Sequence, residues 1–365
     1  MARRKGQSFD YVIAVCVALL LVVGFVALAS ASSDLGKIEH DDPYFYLKHQ
    51  AIFGLGVGLV GFLSGFYLDY RKYKKVIPLL FFLSIVALIL TFTPLGEISG
   101  GAARWIRVGP ITIQPSELLK LFFIGYLAAW FAGDKTDRKS SMSEGLIPFL
   151  GISGIVGVLL LIQKSTSAAV ILMIGALAVY FVGGAHKRHI LATIALGLVL
   201  LAAFVVITPY RRERVLTFFD KDADVEESGY QVTQALTTIG SGGLVGVGYG
   251  QSEIKTTLPE RIGDSIFAVI AEEFGFIGST FLILIFFALT IKAFLLSKRA
   301  KDQFGKLLLV GFATIIGVQA FIHIGGNSGL IPLTGVPLPF ISYGSNALAV
   351  FMTMSGIMLN ISKKI

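Results

Sequence analysis

The chain has 365 residues, 55% of them apolar and 15% charged, with a formal net charge of +8 and a mean hydropathy of +0.78. Soluble domains carry about 25% charged residues, so this composition excludes a soluble globular protein and indicates an integral membrane one. The lysines and arginines are dispersed at the ends of apolar runs, which argues against a nucleic-acid surface, and the lone Cys16 excludes an intrachain disulfide or a cysteine-based metal site.

The apolar runs are too long and unbroken for transmembrane strands, which need only about 9–11 alternating residues. They fit helices, which span with about 20. Ten are predicted, at 11–31, 51–68, 76–92, 116–131, 146–162, 167–182, 190–207, 265–296, 307–324 and 345–359. Only Gln163-Lys164-Ser165-Thr166 divides the fifth from the sixth, so a single re-entrant pair is the alternative there. The first run follows Arg3-Arg4-Lys5 and contains Ala27-Leu28-Ala29, as a signal peptide would. It exceeds the h-region of about 7–15 residues and is read as a retained helix. The expected fold is an all-α integral membrane protein, one polytopic domain over 1–365, with a long extracytoplasmic loop (208–264) between helices 7 and 8.

Orientation follows from Lys and Arg. With the N-terminus inside, 19 of the 31 fall in inside segments, 5 in short outside loops and 6 in the 208–264 loop, where the rule is weak. Both termini are therefore expected in the cytoplasm. The unusual residues collect in three outside segments, 93–115, 208–264 and 325–344, which places function on the outer face.

The first segment runs Ala103-Arg104-Trp105-Ile106-Arg107-Val108-Gly109-Pro110 and ends at Gln114-Pro115-Ser116-Glu117, where Pro115 and Ser116 look like a helix start. The second opens on Arg211-Arg212-Glu213-Arg214 and continues through Gly229-Tyr230-Gln231 and an amphipathic stretch, 232–239. Gly240-Ser241-Gly242-Gly243 and Gly246-Val247-Gly248-Tyr249-Gly250 follow, permitting tight turns and close backbone approach. A phosphate-cradling role for them is one nonspecific reading. Leu258-Pro259-Glu260-Arg261-Ile262-Gly263-Asp264 then leads into the eighth run, which carries Glu272-Glu273. The third segment, 332–344, has prolines at 332, 337 and 339 and is too proline-rich for regular helix. It should pack against the bundle near its outer surface.

Taken together, and in this order, these motifs resemble the SEDS family of cell-wall synthases (shape, elongation, division and sporulation), over nearly the whole chain. Arg104–Pro110 and 246–252 resemble the division branch more than the elongation branch. Some positions depart from the family pattern. Ile262-Gly263 stands where the family usually has His-Thr, Ser265 follows the aspartate in place of Phe, Gln163-Lys164-Ser165 replaces Gln-Pro-Asp, and Ser342-Tyr343-Gly344-Ser345 replaces Ser-Tyr-Gly-Gly.

The resemblance implies peptidoglycan glycosyltransferase activity on lipid II, a disaccharide-pentapeptide carried on undecaprenyl diphosphate, in the bacterial cytoplasmic membrane at the division septum. It also implies a class B penicillin-binding protein as transpeptidase partner, among other division-complex membrane proteins. The chemistry needs a base for the acceptor hydroxyl and positive charge around a diphosphate that is already a good leaving group. Asp264 corresponds to the family's catalytic aspartate; read from position alone, it is equally a helix N-cap. Arg104, Arg107 and Arg261 are candidate phosphate ligands, with interfacial snorkelling as the plain alternative. Trp105 and Glu260 are candidates for contact with the substrate, Trp105 equally for interfacial anchoring.

Glu117 and Lys120, at i and i+3, share a helix face and are expected to line a polar cavity or form a structural ion pair. Glu272 and Glu273 should lie deeper, at least one facing the bundle interior toward Lys120 or a helix end. His40, His49, His186, His189 and His323 show no metal-ligand spacing, and no metal or other cofactor is identified; a divalent cation, Mg or Mn, held through diphosphate oxygens stays open. The competing readings are a transporter that flips the same lipid, an elongation synthase, and a division scaffold without catalysis.

Overall fold

The computed structural model describes residues 8–99, 102–109, 111–133, 141–208, 211–212, 215–216, 218, 228–252 and 254–365. The basic residues 3–5, the 134–140 part of the predicted 132–145 inside segment, and residues 213–214 and 219–227 of the long loop lie outside the described residues.

The first helix, α1 (Tyr11–His40), starts at Asp10, whose carboxylate accepts from the amides of Val12 and Ile13. At 30 residues it is about 45 Å long, so its last turns stand beyond a hydrocarbon layer of about 30 Å. Next come α2 (Phe45–Tyr67), with a π-helical stretch at Gln50–Gly56, and α3 (Tyr70–Leu90). A three-stranded antiparallel sheet follows: β1 (Gly96–Ser99), β2 (Ala102–Val108) and β3 (Ile111–Ile113). Glu97 pairs with Trp105 and Arg107 with Thr112. No strand was expected in this segment.

The helices that follow are α4 (Pro115–Phe131, with proline in the first turn), α5 (Met142–Ile162), α6 (Thr166–Val182) and α7 (Lys187–Ile207). Beyond them lie α8 (Ser228–Ser241), α9 (Ile266–Ser297), α10 (Gln303–Asn327) and α11 (Ser345–Ser362). Helices thus occupy all ten predicted positions, and α8 is the predicted amphipathic stretch. Among the described residues, eight are long and apolar enough to cross a membrane, so the chain is a multi-pass membrane protein. The other two, α4 and α6, have 17 residues each, at the short end of the spanning range.

Burial sorts the bundle. Most of α4, α10 and α11 is buried, whereas no residue of α7 is buried. Small residues allow α2 and α11 to approach closely: a Cβ at Gly65 would lie 2.8 Å from the Ile357 amide, and one at Gly356 would lie 2.2 Å from the Phe62 carbonyl. Backbone contact of this kind is how helices associate where no hydrophobic force separates lipid from protein.

One predicted span is not continuous. Within α9, Gly275 has φ 65° and ψ −166°, which breaks the helix. The glycine-rich stretch after α8 runs alongside the break. Val247 and Gly248 donate their amides to the carbonyls of Glu272 and Glu273, and Phe276 and Ile277 donate to Gly243 and Leu244. Backbone groups opened by a break need partners inside a membrane, and for these four the strip supplies them. Its amides at 247 and 248 are therefore spent on α9, not held for phosphate.

The two chain ends meet at one end of the bundle. The Asp10 amide donates to Ser362 Oγ at 3.0 Å, Lys292 pairs with Asp10 at 3.0 Å, and Lys364 pairs with Asp69 at 2.6 Å. The sheet, α8 and the 328–344 segment gather at the other end.

Candidate active site

Asp264 sits on a tight turn at the head of α9, built by Glu260. That residue adopts φ 50°, in the left-handed region, and its carbonyl accepts from the amides of Gly263 (3.0 Å) and Ser265 (3.1 Å). A non-glycine residue there is uncommon and is held by its surroundings. The helix begins at Ile266 with Ser265 as N-cap residue, so Asp264 is not the N-cap. Its side chain is half-buried.

The proline-rich segment closes over this turn, as its composition required. Tyr343 donates its amide to the Ile262 carbonyl at 2.8 Å, and Ser342 Oγ donates to the Gly263 carbonyl at 2.7 Å. The Leu338 amide returns to Ser342 Oγ at 2.8 Å. A Cβ on Gly335 would come within 3.1 Å of Asp264 Oδ2, so the carboxylate lies directly against that glycine. Asn327 of α10 donates from Nδ2 to the Asp264 carbonyl at 2.8 Å.

The other anticipated residues fall into three places. Glu260 is exposed on the same turn, while Arg261 points inward: it is 7% exposed, 2.9 Å from Asp34 of α1, and donates to the Lys255 carbonyl at 3.1 Å. Its guanidinium is committed to the fold.

Arg104, Trp105 and Arg107 are on β2. Arg107 is exposed and ion-paired with Glu97 across the sheet. Arg104 and Trp105 are half-buried, and Arg104 donates to the Lys164 carbonyl at 2.8 Å. That carbonyl belongs to the α5–α6 turn, where Lys164 has φ 57° and where Arg211 also arrives, donating to Thr166 Oγ1 at 2.7 Å. Three cations thus gather at one turn.

Glu117 and Lys120 do share a face of α4 and are fully enclosed, with Nζ–Oε1 at 2.6 Å. Lys120 also donates to Gln319 Oε1 of α10 at 2.7 Å. Its partners are therefore Glu117 and Gln319, not the glutamates of α9. Those two are buried elsewhere, beside the break: Ser30 of α1 donates to Glu273, Ser252 donates to Glu272, and Lys255 lies 4.0 Å from Glu273. The deep position is as expected; of the two directions anticipated, Lys120 is corrected, because these side chains meet Ser30 of α1 and the 252–255 segment instead.

A cavity of about 570 Å³ opens between α2, α3, α4 and α11. Its lining is mostly apolar (Phe53, Leu121 and Phe122 among others), and the polar residues His49, Thr112, Ser345 and Asn346 lie together at one end. His49 Nδ1 is 2.9 Å from the Tyr343 hydroxyl, and burial raises the Tyr343 pKa to about 12, so the phenol stays neutral. Because the Tyr343 amide is bonded to Ile262, this polar end and the Asp264 turn are joined through one residue.

A sequence model for the FtsW, RodA and SpoVE cell cycle proteins matches residues 10–365. The chain belongs to this family. It is 34% identical over 361 residues to stage V sporulation protein E of Bacillus subtilis (strain 168), covering 98% of both chains. It is 32% identical over 363 residues to a probable peptidoglycan glycosyltransferase FtsW of Geobacter sp. (strain M18), covering 99% of this chain and 98% of the relative. Among solved structures, a chain of a peptidoglycan synthase complex superposes with a TM-score of 0.80 at 28% identity, 98% of each chain covered. Thermus thermophilus rod shape determining protein RodA gives 0.70 at 27%, covering 98% of this chain and 97% of that one. The expected SEDS membership and the helical membrane fold are both upheld.

Reading the sequence had missed Asp34, Gln319, His323, Asn327 and Tyr343 as supports of this region. Gln319, His323 and Asn327 were detectable as polar residues at i, i+4 and i+8 in an apolar run.

Proposed function

We propose that this chain is a peptidoglycan glycosyltransferase of the FtsW kind, polymerising lipid II at the outer face of the cytoplasmic membrane during cell division. The observation that carries the reading is the setting of Asp264: a half-buried carboxylate on a turn held from two sides and linked through Tyr343 to His49, which lines an apolar cavity. FtsW-named relatives at similar identity over nearly the whole chain support the same activity.

In this mechanism, Asp264 takes the proton of the acceptor sugar hydroxyl as its oxygen bonds to the donor anomeric carbon. The bond from that carbon to the diphosphate oxygen breaks, and undecaprenyl diphosphate leaves with the electron pair. Asp264 then returns its proton to water. A diphosphate is a weak base and needs no general acid, but its charge must be met.

Arg104 is the favoured ligand, because its turn also collects Lys164 and Arg211. Arg107, beside Glu97, and Arg261, beside Asp34, are the further candidates. Trp105 and Glu260 would border the sugars. A divalent cation, Mg or Mn, would be held through the diphosphate oxygens of the substrate. The apolar cavity offers room for part of a polyprenyl chain, with the reacting groups beyond its polar end.

Ten crossings with both termini in the cytoplasm would put the Asp264 end outside, and the charge bias supports this. A class B penicillin-binding protein is the proposed transpeptidase partner, supported by the likeness to a chain of a complex that coordinates polymerization and crosslinking. The test is to incubate the purified chain and partner with lipid II. Wild-type protein should yield long glycan, and Asp264→Ala and Asp264→Asn none, with folding unchanged. Near wild-type polymer from either variant removes Asp264 from the mechanism.

A further inference from the structure

One face of α10 carries Gln319, His323 and Asn327 at successive turns, the i, i+4 and i+8 spacing that aligns side chains. All three are enclosed, at 0%, 1% and 1% exposure. Each donates to a backbone carbonyl beside Asp264. Gln319 Nε2 bonds the Pro337 carbonyl at 2.7 Å, and Asn327 Nδ2 bonds the carbonyls of Asp264 (2.8 Å) and His323 (2.9 Å). His323 Nδ1 lies 2.8 Å from the Val336 carbonyl. A carbonyl only accepts, so this nitrogen carries the ring proton. Lys120 fixes the far end through Gln319 Oε1.

These bonds answer a specific deficit. The 332–339 strip has three prolines, which lack amide hydrogens and break regular pairing. Its carbonyls would otherwise be stranded without partners among apolar helices, which a membrane interior does not tolerate. The same face of α10 therefore grips both sides of the carboxylate: the turn through the Asp264 carbonyl, and the opposing strip through residues 336 and 337, next to the Gly335 that touches Oδ2.

We propose that Gln319, His323 and Asn327 form a positioning ladder that sets the direction of the Asp264 carboxylate against the 335–337 strip, with His323 and Asn327 as positioning residues for proton abstraction. The proposal deepens the glycosyltransferase reading and rests on it. None of the three touches the reacting atoms; they act through backbone carbonyls, and a misplacement of about 1 Å at a reacting group costs about 10²-fold in rate.

The experiment uses the full chain with its transpeptidase partner on lipid II, comparing wild type, His323→Leu, His323→Asn and Asn327→Ala. An asparagine places its amide nitrogen close to where the imidazole Nδ1 stands, so His323→Asn keeps the bond to Val336. His323→Leu and Asn327→Ala should lower kcat by about 10–100-fold with KM little changed, and His323→Asn should recover most of the loss. Amide exchange at Ser342 and Tyr343, measured without substrate, should quicken in the two disabled variants and not in His323→Asn. Wild-type kcat in Asn327→Ala, or His323→Asn as slow as His323→Leu, overturns the ladder. If His323→Leu does not insert, Asn327→Ala alone decides by the same criterion. A wild-type chain that makes no polymer removes the glycosyltransferase reading, whereas unchanged exchange in Asn327→Ala removes the ladder.

Discussion

Gly335 and Asp264 are in contact: a Cβ at position 335 would stand 3.1 Å from the carboxylate Oδ2. That is tight enough to push the side chain by a few tenths of an ångström, with no backbone atom in the way. Gly335→Ala should therefore reduce polymerisation about 10-fold while leaving thermal unfolding in detergent unchanged. An alanine variant with full activity would mean that the carboxylate tolerates this movement.

The Glu117–Lys120 pair is enclosed on α4. Removing one partner leaves a buried charge uncompensated, which costs about 3–5 kcal/mol, whereas replacing both with apolar residues is often neutral. Lys120→Met should lower stability by that amount, and Glu117→Leu/Lys120→Leu should regain most of it. Unfolding curves of the single and double variants check this, and a double variant as weak as the single one would contradict it.

At Gly246, φ is +86° and a Cβ would meet the Glu273 carbonyl at 2.2 Å. Gly246→Ala must displace the strip that bonds the carbonyls of Glu272 and Glu273. Each unsatisfied group costs about 1–3 kcal/mol, so the melting temperature should drop and the 242–252 segment should become sensitive to protease. A variant that melts and resists protease like the parent would show that the strip is dispensable.

Two carboxylates brace the opposite end of the bundle. Asp69 has its pKa held below the usual carboxylate range, chiefly by the hydrogen bond from Lys364. Burial pushes Asp302 upward, yet bonds from Tyr70, the Gly305 amide and Arg71 outweigh it, and its pKa is also lowered. A group depressed in the folded state adds stability that is complete above its unfolded pKa of about 3.9 and is lost as pH falls through the folded value. Melting temperature should therefore fall below about pH 4. Asp69→Asn and Asp302→Asn should each flatten that fall; identical pH profiles would refute the assignment.

Much of this was legible from the chain. Long apolar runs leave few alternatives to helices, and the prolines at 332, 337 and 339 forced an irregular packed segment. Asp264 stood out because an acid at the start of a span needs a reason. The sheet escaped notice because its strands are only 4, 7 and 3 residues long; Gly100-Gly101 and Gly109-Pro110, placed between them, are the turn signals that would have found it. The break at Gly275 was invisible because glycine inside a membrane helix is ordinary, and only the facing glycine strip reveals it. The inward turn of Arg261 could not be read either, since its partner Asp34 is on the first helix.

The broken α9 also bears on how the protein is made. Residues 242–248 emerge from the ribosome before 266–297, so the strip is already made when the span that needs it is threaded into the membrane. Insertion of α9 is then a docking step onto a waiting backbone. A tag or deletion within 242–252 would leave a newly made segment with open carbonyls in lipid, and its effect would register as degraded nascent protein ahead of any loss of cell-wall synthesis.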